Sequence, residues 1–288
     1  MRNKIPETYT EIENIADIQA ILTFILKRFH DICCKNGLFY NVFGGTMLGA
    51  IRHRGFIPWD DDIDVVMPFS DYDKLEEVLK NDEELIVKKP GDRGYAYPFI
   101  KICLRKTVLM EKLISRYSMI GAYIDVFPVG GYPQKDEDWF FKRLASLKKK
   151  RGLAVSKIHP SKIWWKKLFF PVRLLQAFPY RITGAERIEK KEESLLRSCS
   201  TEGNGFLLLQ GAGWGKKGKI EKDIFFERVL YRFGDLNVYG IKEYDEHLKR
   251  LYGDYMTLPP EEKRVSNHSY RLYIDGTLLK RIKGGDSI

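Results

Sequence analysis

Cysteine is scarce in this chain. There are four, at positions 33, 34, 103 and 199, and none forms a C-x-x-C pair. Cys33 and Cys34 are adjacent, so neither a zinc site nor a disulfide framework is indicated, and a reducing cytoplasm is the expected setting. No stretch approaches the roughly 20 apolar residues that a membrane span requires. The opening MRNKIPETYTEIENI has no apolar leader core. Internal repeats, low-complexity tails and nucleic-acid-binding motifs are also missing. Acid is the minority charge: 39 Asp and Glu stand against 49 Lys and Arg, a net charge of +10 over 288 residues. That balance favours anionic partners without choosing among nucleotides, nucleic acid and lipid head groups. Hydrophobic residues make up 44% of the chain, enough for a sizeable core.

Where acid does occur, it is concentrated. Phe43 to Pro68 reads FGGTMLGAIRHRGFIPWDDDIDVVMP. Asp60, Asp62 and Asp64 alternate and run into Val65, Val66 and Met67, a β-branched run that favours a strand. Residues two apart on a strand face one way, so Asp62 and Asp64 share a face, joined by Asp60 if the strand starts early. Crowded carboxylates repel unless a cation sits among them, and their hard oxygens suit Mg²⁺ or Mn²⁺. A solvated acidic turn is the bland alternative. A calcium loop is disfavoured because its sixth and twelfth positions hold Val65 and Asp71 rather than Gly and Glu. Gly44 and Gly45 precede a short helix expected over Thr46 to Ile51. A turn of this kind exposes backbone N–H groups that can hold phosphate.

The rest of the chain alternates readable elements. Residues 11–34 carry an amphipathic helical pattern through Ile12, Ile15, Ile18, Leu22, Ile25 and Phe29, stopped by Asn36-Gly37. Leu38 to Phe43 reads as a strand, and Ser70 to Leu79 as one capped helix. Tyr97 to Leu104 and Thr107 to Met110 read as strands, arranged as a hairpin around Arg105-Lys106. Lys101 and Arg105 fall on the same side of the first, facing either phosphate or solvent. AYIDVFP, Ala122 to Pro128, is a buried-looking strand with one acid, Asp125, at its middle. An unpaired buried carboxylate is costly; Asp125 either joins the acid cluster or pairs with a nearby Arg.

After Gly130-Gly131 the character changes. Asp138 to Arg151 is a basic helix candidate, and 157–182 mixes Trp164, Trp165, Phe169, Phe170 and Phe178 with Lys162, Lys166, Lys167, Arg173 and Arg181. Basic residues among aromatics suit a membrane surface and equally suit helices packed on a core. Ala185 to Ser198 is a further helix candidate, and 203–218 a glycine-rich loop or hairpin. Ile224 to Tyr231 and Asp235 to Val238 read as strands. Ile241 to Tyr252 reads as a helix ended by Gly253. Three segments result: a catalytic core over 1–131, a helical and loop insertion over 132–220, and a C-terminal segment over 221–288 that completes the site.

GGTMLGAIRHRGFIPWDDDIDVVMP followed by DYDKL resembles the signature of the LicD family. IDVFPV and the late YGDYMTLPPEEKR with His268 match its further blocks in the same order. The resemblance covers essentially the whole chain and is least distinctive over 132–220. It implies an α+β, nucleotidyltransferase-like fold: a mixed sheet flanked by helices, a Gly-Gly turn, a paired-acid strand and a third acid on a later strand. It also implies transfer of a phosphorylated alcohol from a CDP-activated donor to a sugar hydroxyl. For bacterial members that cargo is chiefly phosphocholine, from CDP-choline, placed on teichoic acids, capsules or other surface glycans. Relatives elsewhere transfer ribitol phosphate. On this reading Asp60, Asp62, Asp64 and Asp125 hold the metal and carry catalysis, with Asp125 as proton acceptor. Gly44, Gly45, Thr46, Arg52, Lys101 and His268 bind the donor, and His53 is a weaker candidate. Expected partners are a CDP-alcohol and a glycan acceptor, lipid-linked or free, with peripheral contact at the inner face of the membrane and no nucleic acid. Two rivals stay open: a D-x-D glycosyltransferase using Asp60-Asp61-Asp62, and a basic nucleic-acid-binding protein.

Overall fold

The computed structural model describes residues 5–92, 95, 97–111, 119–156, 170–199, 201, 205–209, 214–266 and 270–284. The architecture is α+β, built on a mixed sheet. Its centre is β3 (Asp64–Pro68) lying parallel to β8 (Tyr123–Gly131), with Asp64 opposite Asp125 in register. β2 (Asn41–Val42) runs antiparallel on the far side of β3. Along the other edge of β8 lie two antiparallel partners in succession, β5 (Ile100–Leu104) and β9 (Phe206–Leu209). β4 (Leu85–Lys88) extends the sheet beyond β5, and β10 (Lys219–Glu221) extends it beyond β9. Val65, Val66 and Met67 are all buried. Burial of consecutive residues on both faces is how a parallel, centrally placed strand reads.

The helix α1 (Ile15–Lys35) packs on this sheet. Asn14 caps it, its side chain accepting from the Ala16 N–H at 2.9 Å. Ile18, Ile21, Leu22, Ile25, Leu26, Phe29 and Cys33 form the buried stripe, and each large apolar side chain contributes about 1.5–3 kcal/mol on leaving water. The helix starts later than the periodicity predicts. Ile12 belongs instead to β1 (Tyr9–Ile12), which pairs with β13 (Tyr270–Asp275) near the opposite end of the chain. β13 also pairs with β6 (Thr107–Glu111), and β6 with β7 (Met119–Ile120). The expected hairpin of β5 with β6 does not form. Lys106 turns the chain at φ 57°, sending β5 into the large sheet and β6 into this second one. The expected single helix over Ser70 to Leu79 is two short ones, α3 (Phe69–Tyr72) and α4 (Leu75–Val78).

From Glu137 the chain is helical: α5 (Glu137–Val155), α6 (Phe170–Thr183) and α7 (Ala185–Arg197). They share a small core of Leu147, Ala154, Val155, Ala185 and Ile188. A second cluster, Tyr132, Phe140, Leu144, Leu196 and Leu208, joins them to the sheet. β9 and β10 return the chain to that sheet. After α8 (Lys222–Phe226), at a place expected to be strand, β11 (Arg228–Phe233) and β12 (Leu236–Ile241) make a hairpin. α9 (Asp245–Tyr252) follows, with Leu248 and Leu251 buried and Gly253 after it at φ 72°. α10 (Gly276–Gly284) closes the described chain.

Candidate active site

Four acids from two distant parts of the sequence meet at the start of β3. Asp64 is its first residue, and three backbone bonds hold the junction. The Asp64 N–H donates to Thr46 Oγ1 at 2.8 Å. The Phe43 N–H donates to the Asp64 carbonyl at 3.0 Å, and the Asp125 N–H to the Ile63 carbonyl at 2.8 Å. The acidic loop before β3 is tied down from both ends of the chain. Gln19 on α1 donates to the Asp60 carbonyl at 2.9 Å. Tyr270 on β13 donates to the Asp61 carbonyl at 3.3 Å. Ile63 and Val65 are fully buried, whereas Asp62 and Asp64 keep partial exposure, the alternation that puts the two carboxylates on one side.

The electrostatics follow from that crowding. The Asp64 carboxyl is pushed well above the usual carboxylate range, first by burial and then by the charges of Asp62, Asp125 and Asp60, with Lys101 opposing. Lys101 stands opposite Asp125 in the β5–β8 register. It is 1% exposed, and its Nζ lies 2.5 Å from Asp125 Oδ1 and 3.3 Å from the centre of the Tyr123 ring. Lys101 does not face solvent: its partner is a carboxylate of the cluster.

The Gly-Gly turn sits against the same acids. Helix α2 (Gly44–His53) begins at Gly44, whose φ is +55°, and its Ncap residue Phe43 supplies no side-chain bond to the first turn. A Cβ at Gly44 would lie 3.3 Å from Asp64 Oδ2, and one at Gly45 would lie 3.0 Å from Asp60 Oδ2. The pair is thus needed both for the backbone conformation and for the close approach of two carboxylates to a helix N-terminus. Thr46 is buried and spent on Asp64. Arg52, at the other end of α2, donates to the carbonyls of Tyr255 at 2.5 Å and Thr257 at 3.5 Å, and to His53 Nε2 at 2.9 Å. It anchors the stretch after α9 rather than reaching into the acid cluster. His53 is pushed below the usual imidazole range by burial and then by Arg52. His268 lies outside the described residues.

Sequence reasoning missed the aromatic side of the site. The same point beside Gly44 is 3.6 Å from both Trp214 Cζ2 and the Tyr252 hydroxyl. Trp214 packs edge-on between Phe43, at 5.7 Å, and Tyr252, at 5.6 Å. Tyr252 leaves 38% of its surface in solvent. Its phenol is pushed up by burial and then by Asp64, Asp60 and Asp62. The available signals were a Trp inside a glycine-rich stretch and a Tyr just before a helix-ending Gly; neither spacing points to the acids.

Among the described residues, no three His, Cys, Asp or Glu side chains are disposed to hold one metal ion together. The donor chemistry nonetheless fits a hard divalent cation. The donors are all carboxylates, they raise the proton affinity of Asp64 by mutual repulsion, and two of them crowd a helix start that only glycine allows.

Fold and site together define an α+β protein that gathers carboxylates from separate strands at an uncapped helix N-terminus. Residues 37–163 match the family model described as LicD/FKTN/FKRP, nucleotidyltransferase domain. The matched stretch carries the earlier motifs on which the LicD resemblance rests. The chain is 28% identical over 272 residues to the lipopolysaccharide cholinephosphotransferase LicD of Haemophilus influenzae, a match covering 89% of this chain and 96% of that protein. An uncharacterised protein of Rickettsia prowazekii is 30% identical over 138 residues, 48% of each chain.

Proposed function

We propose that this protein transfers phosphocholine from CDP-choline to a sugar hydroxyl of a surface glycan, such as a teichoic acid or capsule precursor, releasing CMP. The observation that carries the reading is the meeting of Asp60, Asp62, Asp64 and Asp125 beside the N-terminus of α2. It is supported by the similarity to the lipopolysaccharide cholinephosphotransferase of Haemophilus influenzae. On this reading the sheet is nucleotidyltransferase-like, and the four acids would hold Mg²⁺ or Mn²⁺. When bound, the ion offsets charge on the donor diphosphate and on the departing CMP.

The chain's own groups divide the remaining work. The first turn of α2 offers N–H groups to a phosphate. The acceptor oxygen bonds to the phosphorus that carries choline, the phosphoanhydride bond to CMP breaks, and the hydroxyl proton passes to a carboxylate. Lys101 pairs with Asp125 and holds that carboxylate in place. Trp214 and Tyr252 favour a cationic alcohol, because a quaternary ammonium is held by aromatic faces. Ribitol phosphate, glycerol phosphate and phosphoethanolamine would use the same reaction without needing that wall.

The test is CMP release across a panel of CDP-alcohols with Mg²⁺ and a glycan acceptor. Asp62→Asn and Asp64→Asn are expected to lose about 10²–10³-fold in turnover. Full turnover in either variant, or UDP-sugar hydrolysis in place of CMP release, overturns the proposal.

A further inference from the structure

Helix α6 carries its apolar residues on the side away from the protein. Leu175 is 74% exposed, Phe178 62% and Ile182 69%, and Val172 is also exposed. Leu175, Phe178 and Ile182 recur at helical spacing and make one stripe. The opposite side holds Ala177, which is fully buried, and Tyr180, which packs on the core shared with α5 and α7. A surface helix normally turns its apolar stripe inward; here a small residue faces in and the large ones face water. Contiguous exposed apolar surface of this kind marks a place where something docks.

Charge selects the occupant. None of the fourteen residues of α6, FPVRLLQAFPYRIT, is acidic, and Arg173 is exposed. Lys150 of α5 stands 6.0 Å from the centre of the Tyr180 ring. Lys142, Arg143 and Lys149 on α5 and Arg187, Lys190 and Lys191 on α7 are exposed on the same helical group. A second copy of this chain would bring +10 against +10. A helix of this length reaches only about 21 Å, short of a bilayer core, and no described helix is long and apolar enough to cross a membrane. An apolar stripe on a helix without acids, too short to span and carried on a group of helices with exposed basic residues, is the pattern of a helix lying in a membrane interface.

We propose that Leu175, Phe178 and Ile182 of α6 insert into the outer layer of an anionic membrane, with the exposed basic residues of the helical group drawn to the lipid phosphates. This surface is separate from the acid cluster, and the proposal stands whether or not the chain transfers phosphocholine. The experiment is co-sedimentation of the full chain with vesicles of phosphatidylcholine alone or with added phosphatidylglycerol, at low and high salt. The wild-type chain is expected to pellet with the anionic vesicles at low salt. Leu175→Glu/Phe178→Glu is expected to lose binding by about tenfold or more, with unchanged melting temperature and CMP release from soluble substrates. The milder Leu175→Ala/Phe178→Ala pair tests the same point if the charged pair fails to fold. Equal binding by variant and wild type overturns the proposal, as does no preference for anionic vesicles. Light scattering that shows wild-type dimers without lipid, and monomers for the variant, overturns it in favour of self-association.

Discussion

Glu189→Gln tests how the α5–α7 helices are held together. Glu189 is 0% exposed, and neither carboxylate oxygen has a hydrogen-bond partner among the described residues. The nearby guanidinium of Arg151 lies 3.2 Å from Glu192 Oε1, so the two glutamates compete for one cation. Burial, opposed by Arg151 and aided by the charges of Glu192 and Glu186, pushes Glu189 from 4.5 up to about 8. The folded state therefore holds this proton more tightly than the unfolded chain. Its contribution is intact below pH 4.5 and is lost as pH rises through about 8. At about 1.4 kcal/mol per pH unit, the cost between pH 4.5 and 7.5 reaches a ceiling of about 4 kcal/mol. Gln keeps the shape and cannot ionise. Urea unfolding of both proteins at pH 5 and pH 8 is the assay. The variant should match wild type within about 1 kcal/mol at pH 5 and exceed it by about 2–4 kcal/mol at pH 8. Parallel pH curves, or a variant weaker at pH 8, would show that Arg151 stabilises an ionised Glu189 and would refute the argument.

Three further outcomes follow from the site and its supports. Gly45→Ala gains helix propensity worth about 1 kcal/mol but pushes Asp60; thermal melts should hold steady while CMP release falls. Gly49→Ala is the contrast, because its Cβ would strike the Gly55 carbonyl, and soluble yield and melting temperature should both drop. His247 is buried against Phe43, its ring nitrogens have no partner among the described residues, and burial, then Arg250, lower it to about 4. The stability it lends is present above pH 6.5 and is lost as pH falls toward about 4, so His247→Phe should flatten the acid limb of a melting-temperature profile. Trp214→Ala should cut turnover of CDP-choline by about tenfold more than that of CDP-glycerol, since cation–π contact is worth about 1–2 kcal/mol; equal losses would make Trp214 a packing residue only.

Legibility in the sequence tracked the range over which each feature is determined. Helix α1 was readable because its stripe is local, yet its start was misplaced, because Ile12 is claimed by β13, some 260 residues away in sequence. The β5–β6 hairpin was predicted from adjacency and fails because β5 is taken by β4 and β8 in the large sheet, while β6 pairs with β13 far along the chain. The acids were visible because alternating carboxylates running into Val-Val-Met conflict with burial, and that conflict shows without coordinates. Their companions do not conflict with anything nearby. Lys101 could be a solvated strand cation until the β5–β8 register sets it opposite Asp125. Arg52, Trp214 and Tyr252 acquire roles only when α2 meets the stretch after α9. The α6 stripe shows the opposite limit. Its periodicity is plain in the sequence, but amphipathicity gives a face without saying where it points, and only the packing of Ala177 against α5 and α7 turns that face to water.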